Sequence, residues 1–350
     1  MSVPWIPALF FAPLALGVFA WAAENPTGCL AANHGLPKPQ RLAIYYGYPS
    51  LLNGSSGDYS RAAAALLPYD AVVLGDGLEL PDVQPSRRPP GPGPVEHQNT
   101  RRLIDLLRNQ HKTVFGYVDL GKSQMLVMEE MKRRARLWQE MGVRGIFLDE
   151  AGYDFGVTRA RQNEIISFIH SLGLGAFVNA FDPDDAFSPA AIPLNSAGGG
   201  NPRGEAAALG NGDFFLLESF LVRNGQFDRT AAGAERIARA VGHRQKFGTR
   251  IFATTTMAVP EPFSQAQFNY AYAGAVLWGL DGFGWGEPDF GARDNLLPWR
   301  GCPAWQAADL GTRFTSAVRQ EGHSYIRVTD RGRIRLDFQG AASSFERASP

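Results

Sequence analysis

The chain has 350 residues, enough for one barrel or two smaller domains. Its 34 Lys and Arg balance 34 Asp and Glu, so no charge excess points to a polyanion such as nucleic acid. Hydrophobic residues make up 45%, as in an ordinary globular protein, and abundant Gly and Pro fall between periodic segments, as in a fold of many short loops.

Residues 4–23 are apolar and end in Ala20-Trp21-Ala22-Ala23, which reads as a secretory signal peptide with a small-residue cleavage site. No Lys or Arg precedes the apolar core, and an uncleaved N-terminal anchor is the alternative. Pro4, Pro7 and Pro13 argue against a well-formed membrane helix. Residues 24–40 read as an irregular arm. The two cysteines are Cys29 and Cys302. An exported chain would permit a disulfide between them, though sequence alone does not set its geometry. Neither the cysteines nor the six histidines show metal-ligand spacing, so no metal or other cofactor is expected.

The first strand is expected at 42–46, followed by a short Ala-rich helix over 58–67. The second strand, 71–74, ends at Gly75-Asp76-Gly77. A proline-rich loop over 81–95 contains Arg87 and Arg88, and Leu103, Ile104, Leu106 and Leu107 then mark a helix over 99–109. The third strand spans 113–119. Residues 124–141 are expected to be amphipathic, with Met125, Val127, Met128, Met131 and Leu137 on the apolar face. The fourth strand, Gly145-Ile146-Phe147-Leu148-Asp149-Glu150, runs apolar residues into two carboxylates, the pattern of a strand buried on both faces. A helix follows over 161–172, then a fifth strand over 175–180 and the acidic loop 182–185, read as solvated or as a helix cap. The sixth strand, 213–218, again ends in a carboxylate. Helix 229–246, strand 250–255, helix 265–280, strand 281–285 and a last helix 303–319 complete the alternation.

Eight strands alternating with helices predict an α/β fold, a (β/α)₈ TIM barrel over 41–320. A doubly wound open sheet is the alternative, but no G-x-G-x-x-G follows the first strand. Residues 325–328 and 334–338 alternate around Asp330-Arg331-Gly332, so 321–350 is expected to form a C-terminal β-hairpin and tail.

In a barrel the strand ends converge on one mouth. They would bring together Tyr46, Asp76, Tyr117, Asp119, Asp149, Glu150, Asn179, Glu218, Thr255 and Trp285. Asp149, Glu150 and Glu218 are the candidate catalytic carboxylates, because glycoside cleavage needs an acid for the leaving oxygen and a second carboxylate as nucleophile or base. Tyr46, Asp76, Tyr117, Asp119, Asn179 and Trp285 are candidate substrate-binding residues, through stacking and hydrogen bonds. Each has a structural alternative: Asp119 as a hydrogen-bond partner, Asp76 as a turn residue, Trp285 as core.

The strand Gly145–Glu150, with Phe115-Gly116-Tyr117-Val118 before it and Glu218 after it, resembles the spherulin-4-like glycoside hydrolases and the related endo-α-1,4-polygalactosaminidases. The likeness spans roughly residues 40–300. Gly116-Tyr117-Val118-Asp119-Leu120-Gly121 is closer to the polygalactosaminidase side, and Gly75-Asp76-Gly77 departs from the Asn-Pro turn of the spherulin-4-like side. The resemblance implies an exported glycosidase acting on a galactosamine-type or N-acetylgalactosamine-type polysaccharide, with Asp149, Glu150 and Glu218 in the catalytic positions. A monomer is expected, with a polysaccharide as partner. The rival readings are a non-catalytic carbohydrate-binding barrel and another hydrolase or lyase on the same scaffold.

Overall fold

The computed structural model describes residues 35–81, 93–257, 263–286, 291–293, 295–296, 299 and 309–348. The expected leader at 1–23, most of the expected arm, Cys29, Cys302, Arg87, Arg88 and residues 303–308 of the expected last helix lie outside them.

Eight parallel strands close into a barrel in sequence order. They are β1 (Gln40–Tyr45), β2 (Ala71–Leu74), β3 (Thr113–Asp119), β4 (Gly145–Asp149), β5 (Gly175–Asn179), β6 (Phe214–Leu217), β7 (Arg250–Thr254) and β8 (Gly282–Gly284). β8 pairs back onto β1 through Gln40 and Gly282. The helices between them are α1 (Tyr59–Leu66), α2 (Gly93–Asn109), α3 (Met128–Glu140), α4 (Arg159–Ser171), α5 (Pro183–Phe187), α6 (Ala231–Phe247) and α7 (Gln265–Leu277). The (β/α)₈ expectation therefore holds.

Alternation within the strands sorts the core into two layers. Leu42, Ile44, Ala71, Val73, Phe115, Tyr117, Phe147, Phe177, Phe214, Leu216 and Phe252 fill the barrel interior. The intervening residues pack outward against the helices. Five of the inner residues are phenylalanines, in edge-to-face or tilted contacts such as Phe115 to Phe214 at 4.9 Å and Phe177 to Phe252 at 5.6 Å. They form a dry aromatic floor. Gly116 is required on the outer side of β3, since a Cβ there would lie 2.1 Å from Cδ2 of the buried Trp138.

Some helix boundaries differ from expectation. Asp58, Thr158, Thr230 and Ser264 accept from backbone N–H groups in the first turns of α1, α4, α6 and α7. Asp182 does the same for the one-turn α5, so the acidic loop is partly a cap. Helix α3 begins only at Met128. Met125, at φ 52°, and Val127 lie outside it and are exposed, so the apolar face starts later than their spacing suggested. The described part of the expected last helix, 309–319, is not helical. Gly311 sits at φ 95°, and Asp330 accepts from Thr312 N and Oγ1, which pulls the chain toward the C-terminal sheet instead.

The expected hairpin is present as β10 (Ser324–Val328) and β11 (Gly332–Asp337). It is widened by the edge strands β9 (Arg319–Glu321) and β12 (Ala342–Arg347) into a four-stranded antiparallel sheet. The sheet packs on the end of α7, with Tyr325 5.3 Å from Trp278 and Phe338 6.0 Å from Tyr270. Among the described residues, no helix is long and apolar enough to cross a membrane.

Candidate active site

The alternation that places Phe147, Phe177 and Phe115 in the interior carries two residues further to Asp149, Asn179 and, beyond Tyr117, Asp119. The same step leads from Ile44 to Tyr46 and from Leu216 to Glu218. These residues therefore stand on the aromatic floor at the C-terminal ends of β1 and β3 to β6, where this fold places its chemistry.

The core of the site is a hydrogen-bonded triad. Asn179 Nδ2 donates to Asp149 Oδ1 at 2.8 Å and to Glu218 Oε2 at 3.2 Å. Asp149 Oδ1 also accepts from the Glu150 N–H at 2.9 Å. Asp149 and Asn179 are buried, and Glu218 is half-buried. Burial pushes the Asp149 carboxyl up, against hydrogen bonds from Asn179, the Glu150 N–H and Tyr117 that favour the anion. Burial also raises Glu218, with the Asp149 charge adding to the shift and Arg236 and Arg223 opposing it. Tyr46 is held well above its usual range by burial and by the two carboxylates. Its ring meets Tyr117 edge-on at 5.4 Å.

Asp119 is buried at the end of β3, in register with Asp149. Burial, reinforced by Glu150, Asp149 and Asp76, pushes its carboxyl up to about 7. Its Oδ1 has no hydrogen-bond partner among the described residues. Tyr117 is buried over Phe147 and is also raised by burial and by Asp149.

The other expected strand-end residues are held by contacts outside the triad. Glu150 adopts φ 52°, and its carboxylate accepts from Ser123 N at 3.0 Å and from Ser123 Oγ, so it is tied to the loop after β3. Asp76 falls on the outward parity of β2. It pairs with Arg134 of α3 at 2.6 Å and accepts from Gln124 at 2.9 Å. Thr255 accepts from Gly286 N and ties β7 to β8. Trp285 follows the interior Gly284 and packs on Phe263 and Phe268 at 5.4 and 5.8 Å.

Sequence reasoning missed three residues around Glu218. Arg236 of α6 donates to the backbone oxygens of Glu218 at 2.7 Å and Phe181 at 3.2 Å. Phe181 and Arg223 stand beside it, with both guanidiniums over the Phe181 ring. These come from a helix and two loops, whose approach to a strand end leaves no local pattern. Among the described residues, no group of three or more His, Cys, Asp or Glu side chains is arranged to hold a metal ion.

The arrangement provides two carboxylates joined by one neutral donor over a dry floor. Such a pair suits one ionised and one protonated member at neutral pH, which is the requirement of acid-assisted nucleophilic chemistry.

No protein-family model matches the chain, and comparison with curated proteins gives no match. Among solved structures it is similar to the glycoside hydrolase domain of PelA from Pseudomonas aeruginosa, at 15% identity and TM-score 0.39 over 71% of this chain and 94% of that one. It is also similar to an endoglucanase, at 8% identity and TM-score 0.44 over 72% and 91%. A third is the maltogenic alpha-amylase AmyB from Thermotoga neapolitana, at 9% identity and TM-score 0.44 over 87% and 86%. At these identities and scores the likenesses add nothing to the barrel already shown by its strand pairing.

Proposed function

We propose that the protein is an exported glycoside hydrolase that cleaves an amino-sugar-containing polysaccharide within the chain and retains anomeric configuration. The observation that carries this reading is the shared donor. Asp149 Oδ1 and Glu218 Oε2 both accept from Asn179 Nδ2. Two oxygens held at 2.8 and 3.2 Å from one nitrogen stand no more than about 6 Å apart, short of the about 6.5–9.5 Å that leaves room for an inverting water.

In this reading Glu218, half-buried and flanked by arginines, protonates the glycosidic oxygen as the leaving sugar departs. Asp149, the deeper carboxylate, attacks the anomeric carbon and forms a glycosyl ester. Glu218, now ionised, takes a proton from water, and the resulting hydroxide displaces Asp149 and restores both groups. Asn179 sets the spacing, while Tyr46 and Tyr117 border Asp149. Asp119 and Glu150 make one side of the mouth acidic, which suits the ammonium of a galactosamine unit. Glu150 contributes to substrate holding through its Ser123-anchored carboxylate.

The test is release of reducing ends from galactosamine and N-acetylgalactosamine polymers beside neutral glycans. Loss of turnover in Glu218→Gln supports the reading, and the preferred polymer names the sugar. Absence of turnover on every polymer, with equal binding by wild type and variant, would favour a carbohydrate-binding barrel instead.

A further inference from the structure

The lip of the mouth formed by the loops after β5 and β6 is built, on its β6 side, more rigidly than a solvent loop requires. After Glu218 the chain passes through Ser219 at φ 53°, Leu221 at φ 57° and Asn224 at φ 49°. Three left-handed non-glycine residues within six positions are costly and persist only where the surroundings enforce them. Thr256 is the enforcing residue. Its N–H donates to Val222 O at 3.0 Å, its carbonyl accepts from Gly225 N at 2.9 Å, and its hydroxyl meets Ser219 Oγ at 2.9 Å and Asn224 N at 3.1 Å. Val222–Arg223 and Gln226–Phe227 close as a two-stranded ribbon. Arg223 is thereby held at the edge of the mouth.

Arg223 faces an exposed aromatic ring. Phe181, two residues beyond Asn179, is 38% exposed. The buried Arg236 backs it, with its guanidinium carbon 4.3 Å from the ring centroid and its Nη1 on the Phe181 carbonyl. The Arg223 guanidinium lies 5.0 Å from the same centroid. Asp182, next in sequence, is already paired with Arg239 at 3.0 Å. The mouth is therefore polar in charge, with Asp119 and Glu150 on the β3 to β4 side and Arg223 and Arg236 on the β6 side.

We propose that Phe181 and Arg223 form a glycan subsite on this lip, where a pyranose ring stacks on Phe181 and Arg223 donates to a neutral oxygen of that sugar, an acetamido carbonyl in particular. With the buried Arg236 behind it, the partly exposed ring offers a flat apolar face to the C–H face of a sugar once the exposed Arg223 side chain, which lies over the ring, swings to the sugar's edge. A guanidinium has donors and no acceptor, so it matches a carbonyl and repels a free ammonium. The acidic side of the mouth has the opposite preference. The subsite rests on the glycosidase reading for its place beside Glu218, and it adds an orientation: N-acetylated units toward β6 and free amines toward β3.

The test is calorimetric binding by the full chain carrying Glu218→Gln, with N-acetylgalactosamine, galactosamine and neutral glucan tetrasaccharides as probes. The acetylated tetrasaccharide is expected to bind, and adding Phe181→Ala should weaken it roughly tenfold. Phe181→Trp should retain binding, and Arg223→Ala should narrow the preference for the acetylated over the free-amine probe. Unchanged affinity on adding Phe181→Ala, or no binding of any probe, overturns the subsite. Phe181-dependent binding without wild-type turnover keeps the subsite and removes the hydrolase. Turnover that depends on Glu218 with no effect of Phe181→Ala does the reverse.

Discussion

Asp149 and Glu218 accept hydrogen bonds from the same nitrogen, Asn179 Nδ2, at 2.8 and 3.2 Å. Both carboxyls are raised by burial above the Phe-lined floor, and the charge of Asp149 further raises Glu218. Two like charges this close in a poorly solvated site favour sharing a proton, so the pair titrates as a unit. Asn179 fixes the separation without adding charge.

Asn179→Ala is therefore expected to lower kcat by roughly ten- to a hundredfold, the effect of losing a hydrogen bond of about 1.5–3 kcal/mol to a charged group. Asn179→Asp should be worse, because a third carboxylate would push the shared proton further from the working range. Kinetics on whichever polymer wild type cleaves would check this. Wild-type kcat in Asn179→Ala would refute the bridging role.

Arg223 bears on the same titration from outside. Its charge opposes the upward shift of the Glu218 carboxyl. Removing it in Arg223→Ala should raise the Glu218 pKa and move the alkaline limb of the kcat/KM profile to higher pH, since the general acid would hold its proton longer. Arg223 is exposed, so the displacement should shrink as salt is added. A profile that does not move, or that moves down, would detach Arg223 from Glu218.

Much of this site was legible because strand alternation is a strict rule. Apolar runs announced the eight strands, and the residues that continue their inward parity, Tyr46, Tyr117, Asp119, Asp149, Asn179 and Glu218, are those that converge. Asp76 and Trp285 were selected because they lie at strand ends, yet they fall on the outward parity, one residue beyond Gly75 and Gly284. Counting from Val73 and Gly282 separates them. Glu150 also breaks the alternation, and only the structure reveals its left-handed turn toward Ser123. Phe181, Arg223 and Arg236 gave no signal, since their proximity depends on how α6 and the ribbon after β6 fold over the barrel. The edge strands β9 and β12 were missed because both are mostly exposed and polar, with Phe345 the lone large apolar residue in the second.

The contrast between Asp76 and Asp119 is directly measurable. Asp76 pairs with the fully buried Arg134, which also reaches Glu130 at 3.0 Å. Asp76→Asn should cost about 1–2 kcal/mol of stability, seen as a lower Tm, with KM unchanged. Asp119 is a buried carboxyl with one unpaired oxygen, so Asp119→Asn should leave Tm unchanged or raise it. Its effect should be on free-amine polymers, with kcat/KM lower by roughly tenfold or more if it binds an ammonium. The opposite pattern, with Asp76→Asn impairing catalysis and Asp119→Asn only unfolding the protein, would exchange the two roles.

Glu79 supplies a prediction about stability. It is fully buried behind β2, with Arg134 Nη1 3.4 Å from Oε1 and no hydrogen bond to either carboxyl oxygen among the described residues. Burial pushes its carboxyl from 4.5 to about 8, with the Asp76 charge adding to the shift and Arg134 only partly offsetting it. In the unfolded chain the group loses its proton near 4.5, whereas the folded protein keeps it until about 8. Between those values the folded state binds more protons, so stability falls as pH rises, and the loss levels off above the folded value. Below the unfolded value the group is protonated in both states and contributes no pH dependence. The total is on the order of a few kcal/mol. Glu79→Gln keeps the shape and removes the titration. The expected result is a Tm that falls less between pH 5 and pH 8 in the variant than in wild type, with the two closest near pH 5. Parallel Tm curves across that window would mean that the folded protein accommodates an ionised Glu79 beside Arg134.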